Sequence, residues 1–369
     1  MRLMSIHSCY PGITLAKTIY TSQGTVLVGS GVGLTQRMID RLIQYGISMV
    51  YIEDKDTYDI IIEDIISEET RREAMSAIHS SFESFQKEPQ KWRNSFPDRD
   101  LGKRFRNAVT SVIAELKANK AAMNLLGTAC GVDHYVYAHS FNVALYTIAL
   151  AIKMGLGEKE LTEIGIGSML HDVGKMAIPY EVLAKPGKLT AEEFEMMKKH
   201  TSIGFELLRG KDEIPLLAAH CAFQHHERCD GTGYPRQLKA KDIHPYAKML
   251  AVCDVFDALT SNRVYRKAML PHEAIEILYS GAGTQFSLEA VEEFKNTIAF
   301  YPLGLTVTLN TGEKGIVLDH NHGMPSRPIV RILTDEAGNA LAVPYELDLA
   351  KKLNIVITDC DAAVMNATM

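Results

Sequence analysis

The spacing of apolar and polar positions divides the chain into four stretches. Over 1–62, ITLAKTIYT and GTVLVGSGVGL have strand-like composition broken by glycines. LTQRMIDRLIQYGI carries apolar residues at helical spacing up to a stop at Gly46, and SMVYIED is strand-like again. These runs predict a small α+β unit. Over 63–120 the pattern is charged and helical, and KEPQKWRNSFPDRD, with its prolines, predicts a loop inside it. This segment is a helical linker, serving either homodimer contacts or simple packing. Over 121–300 Ala, Leu and Met recur at helical spacing and predict an all-helical domain of six or seven helices. TAEEFEMMKKH opens with a capping box from Thr190 to Glu193. PHEAIEIL and SLEAVEEF place acids behind a helix-start residue, where the helix dipole favours them. Over 301–369, LTVTLN, IVLDHN, IVRILTD and NIVITD alternate with the turn segments TGEKG and EAGNA. They predict short antiparallel strands in a small β-barrel-like or sandwich unit. The fold class is mainly α, with an α+β unit before the helical domain and a β-rich unit after it.

Composition narrows the function classes. The 369 residues are 46% hydrophobic and 23% charged, with a net charge of −6. That balance is ordinary for a globular chain and gives no basic surface for a nucleic-acid polymer. A polyanionic ligand would need a local cluster of cations or metals. The six cysteines, at 9, 130, 221, 229, 253 and 360, form no CxxC pair. Reduced thiols and a cytoplasmic location are therefore expected. MRLMSIHSCYPG lacks the basic and apolar regions of a signal peptide. The run ALYTIALAIKMGL is too short for a membrane span and is interrupted by Lys153.

The chemistry lies in HDVGK, residues 171–175, which follows the apolar run IGIGSML. A helix cap would account for Asp172 alone. The alternative is a metal site drawing on other groups. Of the 13 histidines, eight lie between 134 and 244. His139, His171, His200, His225, His226 and Asp254 sit on largely apolar segments, where an unpaired polar group is costly. Imidazole and carboxylate together suit first-row divalent ions, and Asp172 is the natural bridge between two of them. Two such ions can activate water and clamp phosphodiester oxygens. His134 and His220 are read as core or surface residues, and His244 as a loop residue. His7, His79, His272, His320 and His322 fall outside the cluster. Asp257, one helical turn from Asp254, supports the helix or a neighbouring cation.

HDVGK, HHERCDGTGYP and DVFDALTSNRVYRKA resemble the signatures of the HD-GYP domain, a branch of the HD metal-dependent phosphohydrolases. IPYEVLAKPGKLTAEEFEMMKKH is similar to the family as well, so the likeness runs from about Asp133 to Phe300. The resemblance implies an all-helical fold and hydrolysis of cyclic di-GMP to pGpG and on to GMP, with iron or manganese. It implies that His139, His171, Asp172 and Asp254 bind one metal, and that Asp172 bridges to a second held by His200, His225 and His226. Lys175 would lie near the scissile phosphate, and Arg263 and Arg266 would hold the phosphates and a guanine. The triplet Gly233, Tyr234 and Pro235 would shape the pocket and contact a signalling partner. Some members carry a Glu four residues before the first His, where it helps bind a third metal. Here that position is Tyr135, and Asp133 is badly phased to replace it, so two metals are expected. The alternatives are a cyclic-dinucleotide-binding module without useful turnover, or an enzyme for another substrate such as cyclic GMP–AMP.

Overall fold

A computed structural model describes residues 1–21, 25–45, 47, 49–62, 65–87, 100–118, 135–211, 213–261, 269–321 and 323–360. Gly46, Asp133, His134 and most of the proline-containing loop lie outside the described residues. At the start of the chain, β1 (Arg2–Ser5) pairs antiparallel with β4 (Met49–Ile52), Arg2 opposite Ile52. Between them in sequence come a two-strand hairpin of β2 (Ile19–Tyr20) and β3 (Val26–Val28), and helix α1 (Gln36–Gln44). The Thr35 hydroxyl caps α1 by accepting the Met38 N–H. Ile39 and Leu42 of α1 close a small core with Ile6, Leu15, Leu34 and Val50. Most of ITLAKTIYT is not ladder. Thr14 and Leu15 make only isolated bridges, to Gly33 and Ile52.

The charged stretch after this unit belongs to the main core. Helices α2 (Glu68–Lys87) and α3 (Leu101–Ala118) bury Phe82, Phe85, Phe105, Val109 and Val112 in it. The central helices are α4 (Tyr135–Lys153) and α5 (Glu158–Leu170). Both are buried on nearly every side over much of their length, as a core helix apolar all round must be. Two glycines of α5 let its neighbours approach. A Cβ on Gly165 would meet Val109 Cγ1 of α3 at 2.6 Å, and one on Gly167 would meet Cys221 Sγ at 2.7 Å. Cys221 lies on α8 (Leu216–Gln224). The domain is completed by α6 (Tyr180–Leu183), α7 (Ala191–Leu208), α9 (Pro245–Thr260), α10 (Pro271–Ser280) and α11 (Leu288–Lys295). The one-turn α6 brings the described helices after residue 121 to one more than the sequence pattern suggests. Both halves of the Thr190–Glu193 capping box are formed, at 3.3 and 2.7 Å.

After the helices, β5 (Thr306–Leu309), β6 (Lys314–Asp319), β7 (Ile329–Thr334), β8 (Ala340–Asp348) and β9 (Ile357–Cys360) form one antiparallel sheet ordered β8-β7-β6-β5-β9. Among the described residues β8 and β9 do not pair, so the expected barrel is an open sheet there. The sheet carries Pro344 on its exposed edge strand β8, where a missing N–H costs little. The first and last units meet. Leu3 N–H donates to Gly304 O at 2.9 Å, and Arg331 binds Asp59 through two 2.7 Å hydrogen bonds. None of the described helices is long and apolar enough to cross a membrane.

The Arg331 hydrogen bonds hold the half-exposed Asp59 carboxyl below its ordinary pKa. Its contribution is therefore present above the ordinary carboxylate range and is lost as the pH falls through the lowered value. Asp59→Asn should lower stability by about 0.5–1 kcal/mol at neutral pH, the upper range for an exposed pair. Urea unfolding should show that difference shrinking in acid.

Candidate metal centre

Backbone contacts bring the candidate groups together. His171 is the C-cap of α5, and Asp172 follows it into a 3-10 turn, Val173–Ala177. That turn lies against the backbone of α7. A Cβ on Gly174 would stand 2.0 Å from His200 O and 2.7 Å from Gly204 N, so only glycine fits. The contact sets HD beside His200, which is fully buried in α7. His225 is the C-cap of α8, with His226 next, and Asp254 lies inside α9 facing His139 of α4.

Each of the four buried imidazoles donates its Nδ1–H outwards. His171 donates to Ser168 O at 2.7 Å and His200 to Met197 O at 2.6 Å. His225 donates to Ala222 O at 3.0 Å, and His139 to the Asp257 carboxylate at 2.7 Å. A carbonyl or carboxylate oxygen only accepts, so the neutral rings of His171, His200 and His225 turn the lone pair on Nε2 inwards, while His139 sets its Nε2 3.0 Å from Asp254 Oδ1. The Nε2 atoms of His200 and His225 stand 3.3 Å apart with no proton to share. His171 Nε2 and Asp172 Oδ1 are buried and hydrogen bond to nothing among the described residues.

The Asp172 carboxylate is fully buried and faces both halves of the cluster. Oδ2 is 3.5 Å from Nε2 of both His139 and His171, while Oδ1 is 3.6 Å from His200 Nε2 and 3.7 Å from His225 Nε2. His226 Nδ1 stands 3.8 Å from Asp254 Oδ2. Three groups each offer ligand atoms within 4.8 Å of one another: His139, His171 and Asp254; His171, Asp172 and His225; and His200, His225 and His226. Separations near 3.6 Å are too long for hydrogen bonds. They suit donors each about 2.1 Å from a shared ion, so the residues fit a metal centre.

Electrostatics agree with that fit. Burial pushes His200 and His225 down to about 3 and about 4, so both rings are neutral donors. Burial likewise lowers His171 and His226. It would raise Asp172, but Lys175 and the surrounding imidazoles hold that acid well below the carboxylate range. His139 differs: burial opposes its charge, yet Asp254 and Asp257 lift it to about 9. In the metal-free chain a proton on His139 and the Lys175 ammonium, ion-paired with Asp172, supply the positive charge that these acids demand.

Two supporting acids emerge from the structure. Asp257, left open in the sequence as a helix or cation support, fixes His139 and also accepts from Asn142 Nδ2 at 3.0 Å. Glu227 carries no role in the sequence reading. It is buried and accepts the N–H groups of Arg236 and Leu238 at 2.7 and 2.9 Å, pinning the turn that carries Gly233, Tyr234 and Pro235. Its place directly after HH is the available signal. A Cβ on Gly233 would lie 2.3 Å from Arg228 N, so the turn folds tightly onto the HHER segment. Tyr234 lays its ring 4.7 Å from that of His226. Arg263, Arg266 and the Tyr135 side chain lie outside the described residues. His220 packs on Phe205 and contacts Gln224, while His244 caps α9, so neither joins the cluster.

A helical domain in which two helix ends and three helix interiors bring histidines and aspartates to one buried cluster has the donor set of a histidine–aspartate metal site. Residues 114–288 match the family described as HD domain, and 306–363 match a KOW domain associated with HD domain. The helical region matches the HD domain family, and its motifs are similar to those of the HD-GYP branch. A cyclic di-GMP phosphodiesterase of Pseudomonas aeruginosa is 38% identical over 215 residues, 58% of this chain and 51% of that protein. A 3′3′-cGAMP-specific phosphodiesterase of Vibrio cholerae is 38% identical over 194 residues, 52% of this chain and 37% of that protein. The chain thus spans about half the length of the first and less of the second. A solved HDG"Y"P protein of Bdellovibrio bacteriovorus shares the fold, with a TM-score of 0.51 and 19% identity over 79% of this chain and 97% of that one.

Gly174→Ala should cost about 1–3 kcal/mol through overpacking against rigid backbone, as read by urea unfolding. Gly204→Ala, whose added Cβ would meet the Ala222 Cβ at 3.3 Å, should cost less. Asp257→Asn should weaken divalent-metal affinity by about 10–100-fold, measured by competition with a chelator, because His139 loses its charged orienting partner.

Proposed function

We propose that the chain is a metal-dependent phosphodiesterase that opens cyclic di-GMP to linear pGpG and carries it on to GMP. The observation that carries this reading is the Asp172 carboxylate, whose two oxygens face two separate groups of inward-turned imidazoles. His139, His171, Asp172 and Asp254 would hold one divalent ion and His200, His225 and His226 the other, with Asp172 shared. Iron or manganese suits this imidazole–carboxylate set, and its lack of thiolates argues against a structural zinc site. Two ions are proposed, because the sequence has Tyr135 where some family members bind a third metal through Glu. When bound, such ions supply a water nucleophile near neutral pH and neutralise phosphate oxygens.

The chain's own residues do the rest. Lys175, partly exposed beside Asp172, places an ammonium where charge grows on the non-bridging phosphate oxygens. Asp257 keeps His139 in the tautomer that points Nε2 at the site. Arg263 and Arg266 are assigned the second phosphate or a guanine edge, for which their planar donors suit them. The similarity to a 3′3′-cGAMP-specific enzyme keeps cyclic GMP–AMP as a second substrate reading. The turn at Gly233–Pro235 is proposed as a contact for a signalling partner, and a homodimer and a cytoplasmic location complete the reading.

Protein loaded with iron or manganese should convert cyclic di-GMP to pGpG and GMP, followed by product chromatography with cyclic GMP–AMP in parallel. His171→Ala combined with Asp172→Ala should reduce turnover to background. Turnover retained in that double variant overturns the assignment, and tight binding without product identifies a binding module.

A further inference from the structure

One side of the candidate centre has an aromatic rim that the metal chemistry does not use. Phe194 and Lys198 lie one turn apart on α7, on the approach to His200. The Phe194 ring is 46% exposed and meets Tyr234 edge-on at 6.1 Å. Lys198 Nζ sits 5.4 Å from the Phe194 centroid and 5.9 Å from that of Tyr234, and Glu195 holds it at 2.6 Å. Tyr234 in turn packs against His226 and lies 6.4 Å from the His200 ring. An apolar surface with a fixed ammonium therefore runs outward from the metal cluster in two ring-to-ring steps, a span that a nucleotide covers from phosphate to base.

Resting on the phosphodiesterase reading, we propose that Phe194, Lys198 and Tyr234 form a seat for one purine base of the substrate. Phe194 supplies the exposed face on which the base stacks, a sequence-tolerant attraction common to all bases. Lys198 supplies selectivity. Its N–H groups suit guanine, which offers two acceptors on one edge, O6 and N7, where adenine presents N7 beside a donor amino group. Tyr234 backs the seat and ties it to His226, so the position of the base is referred to the position of the reacting phosphate. The ring placement beside His200 and His226 favours a base over a protein side chain as the occupant.

The test replaces Phe194 by Trp in a Trp92→Phe background, which leaves position 194 as the single tryptophan. GMP should quench its emission saturably, AMP should do so more weakly, and ribose 5-phosphate should leave it unchanged. In a second arm, kcat/KM is compared for cyclic di-GMP and for methyl p-nitrophenyl phosphate, a diester with no base. Phe194→Ala should lower the ratio of the two by about ten-fold or more, mainly through KM for the dinucleotide. Lys198→Ala should erode the preference for cyclic di-GMP over cyclic di-AMP, and Lys198→Arg should restore it. A ratio within about two-fold of the parent, or no quenching by GMP while the base-free diester is still hydrolysed, overturns the seat. In the second of those cases a partner peptide that binds and is lost with Phe194→Ala assigns the rim to protein contact. Failure of the parent protein to hydrolyse either diester with metal supplied overturns the phosphodiesterase reading, and the seat with it.

Discussion

A carboxylate with no solvent contact is among the most expensive groups a helical core can carry, and here the whole arrangement turns on one, Asp172. Lys175 from the same turn and His139 offset part of that cost, while His171, His200 and His225 stand 3.5–3.7 Å from its oxygens as neutral rings. Those three rings point lone pairs inwards, because their N–H groups are committed to carbonyls. Lone pairs facing a carboxylate repel it. Positive charge at the centre relieves that repulsion, and in the metal-free chain His139 and Lys175 provide only part of it. A metal bound there would therefore couple to folding through a single acid.

Holding such a centre demands backbone precision, and small residues supply it. Gly165 and Gly167 let α5 touch α3 and α8 on opposite sides, which fixes the end of α5, and so His171, relative to the end of α8, and so His225. Gly174 then lets the HD turn rest on α7, which fixes Asp172 relative to His200. At Gly174 the contact is with main chain, while Gly165 and Gly167 are met chiefly by the buried side chains of Val109 and Cys221. The donors inherit their positions from helix packing, and the packing is driven by the apolar residues that surround every one of them.

Much of this was legible because helical spacing and apolar surroundings are local properties. VYAHSFNVALYTIAL reads as a core helix that carries a histidine, and the structure buries both the helix and His139. Partners far apart in sequence were not legible. Asp257 acts on His139 across 118 positions, and its one-turn spacing from Asp254 could not say which neighbour it serves. Glu227 drew no reading, since the fold of the following turn back onto it is a contact 9 to 11 residues away. The strand β1, RLMS, has no β-branched residue, and β8 carries a proline, so neither gave a strand signal. In the 63–120 stretch, charge on the outer helix faces masked Phe82 and Phe105, which lie in the core. Arg263 and Arg266 belong to a stretch outside the described residues, so their reading still rests on sequence alone.

The same helix, α7, serves both depths of the site. His200 stands in its buried face, and Phe194 and Lys198 stand at its exposed end within two turns. Because the backbone of α7 is also what Gly174 rests on, a shift of this helix would move the candidate donors, the shared carboxylate and the rim as one body. The turn bearing Tyr234 is tied to that body from the other side, through its ring contact with His226 and its backbone N–H to His226 O at 3.1 Å. The proposed base seat and the candidate metal donors are thus carried by the same packed elements. The flanking units brace each other elsewhere, through Leu3 with Gly304 and Asp59 with Arg331. A signal arriving through them would reach the chemistry by displacing helices, since none of these bracing contacts involves the donor residues themselves.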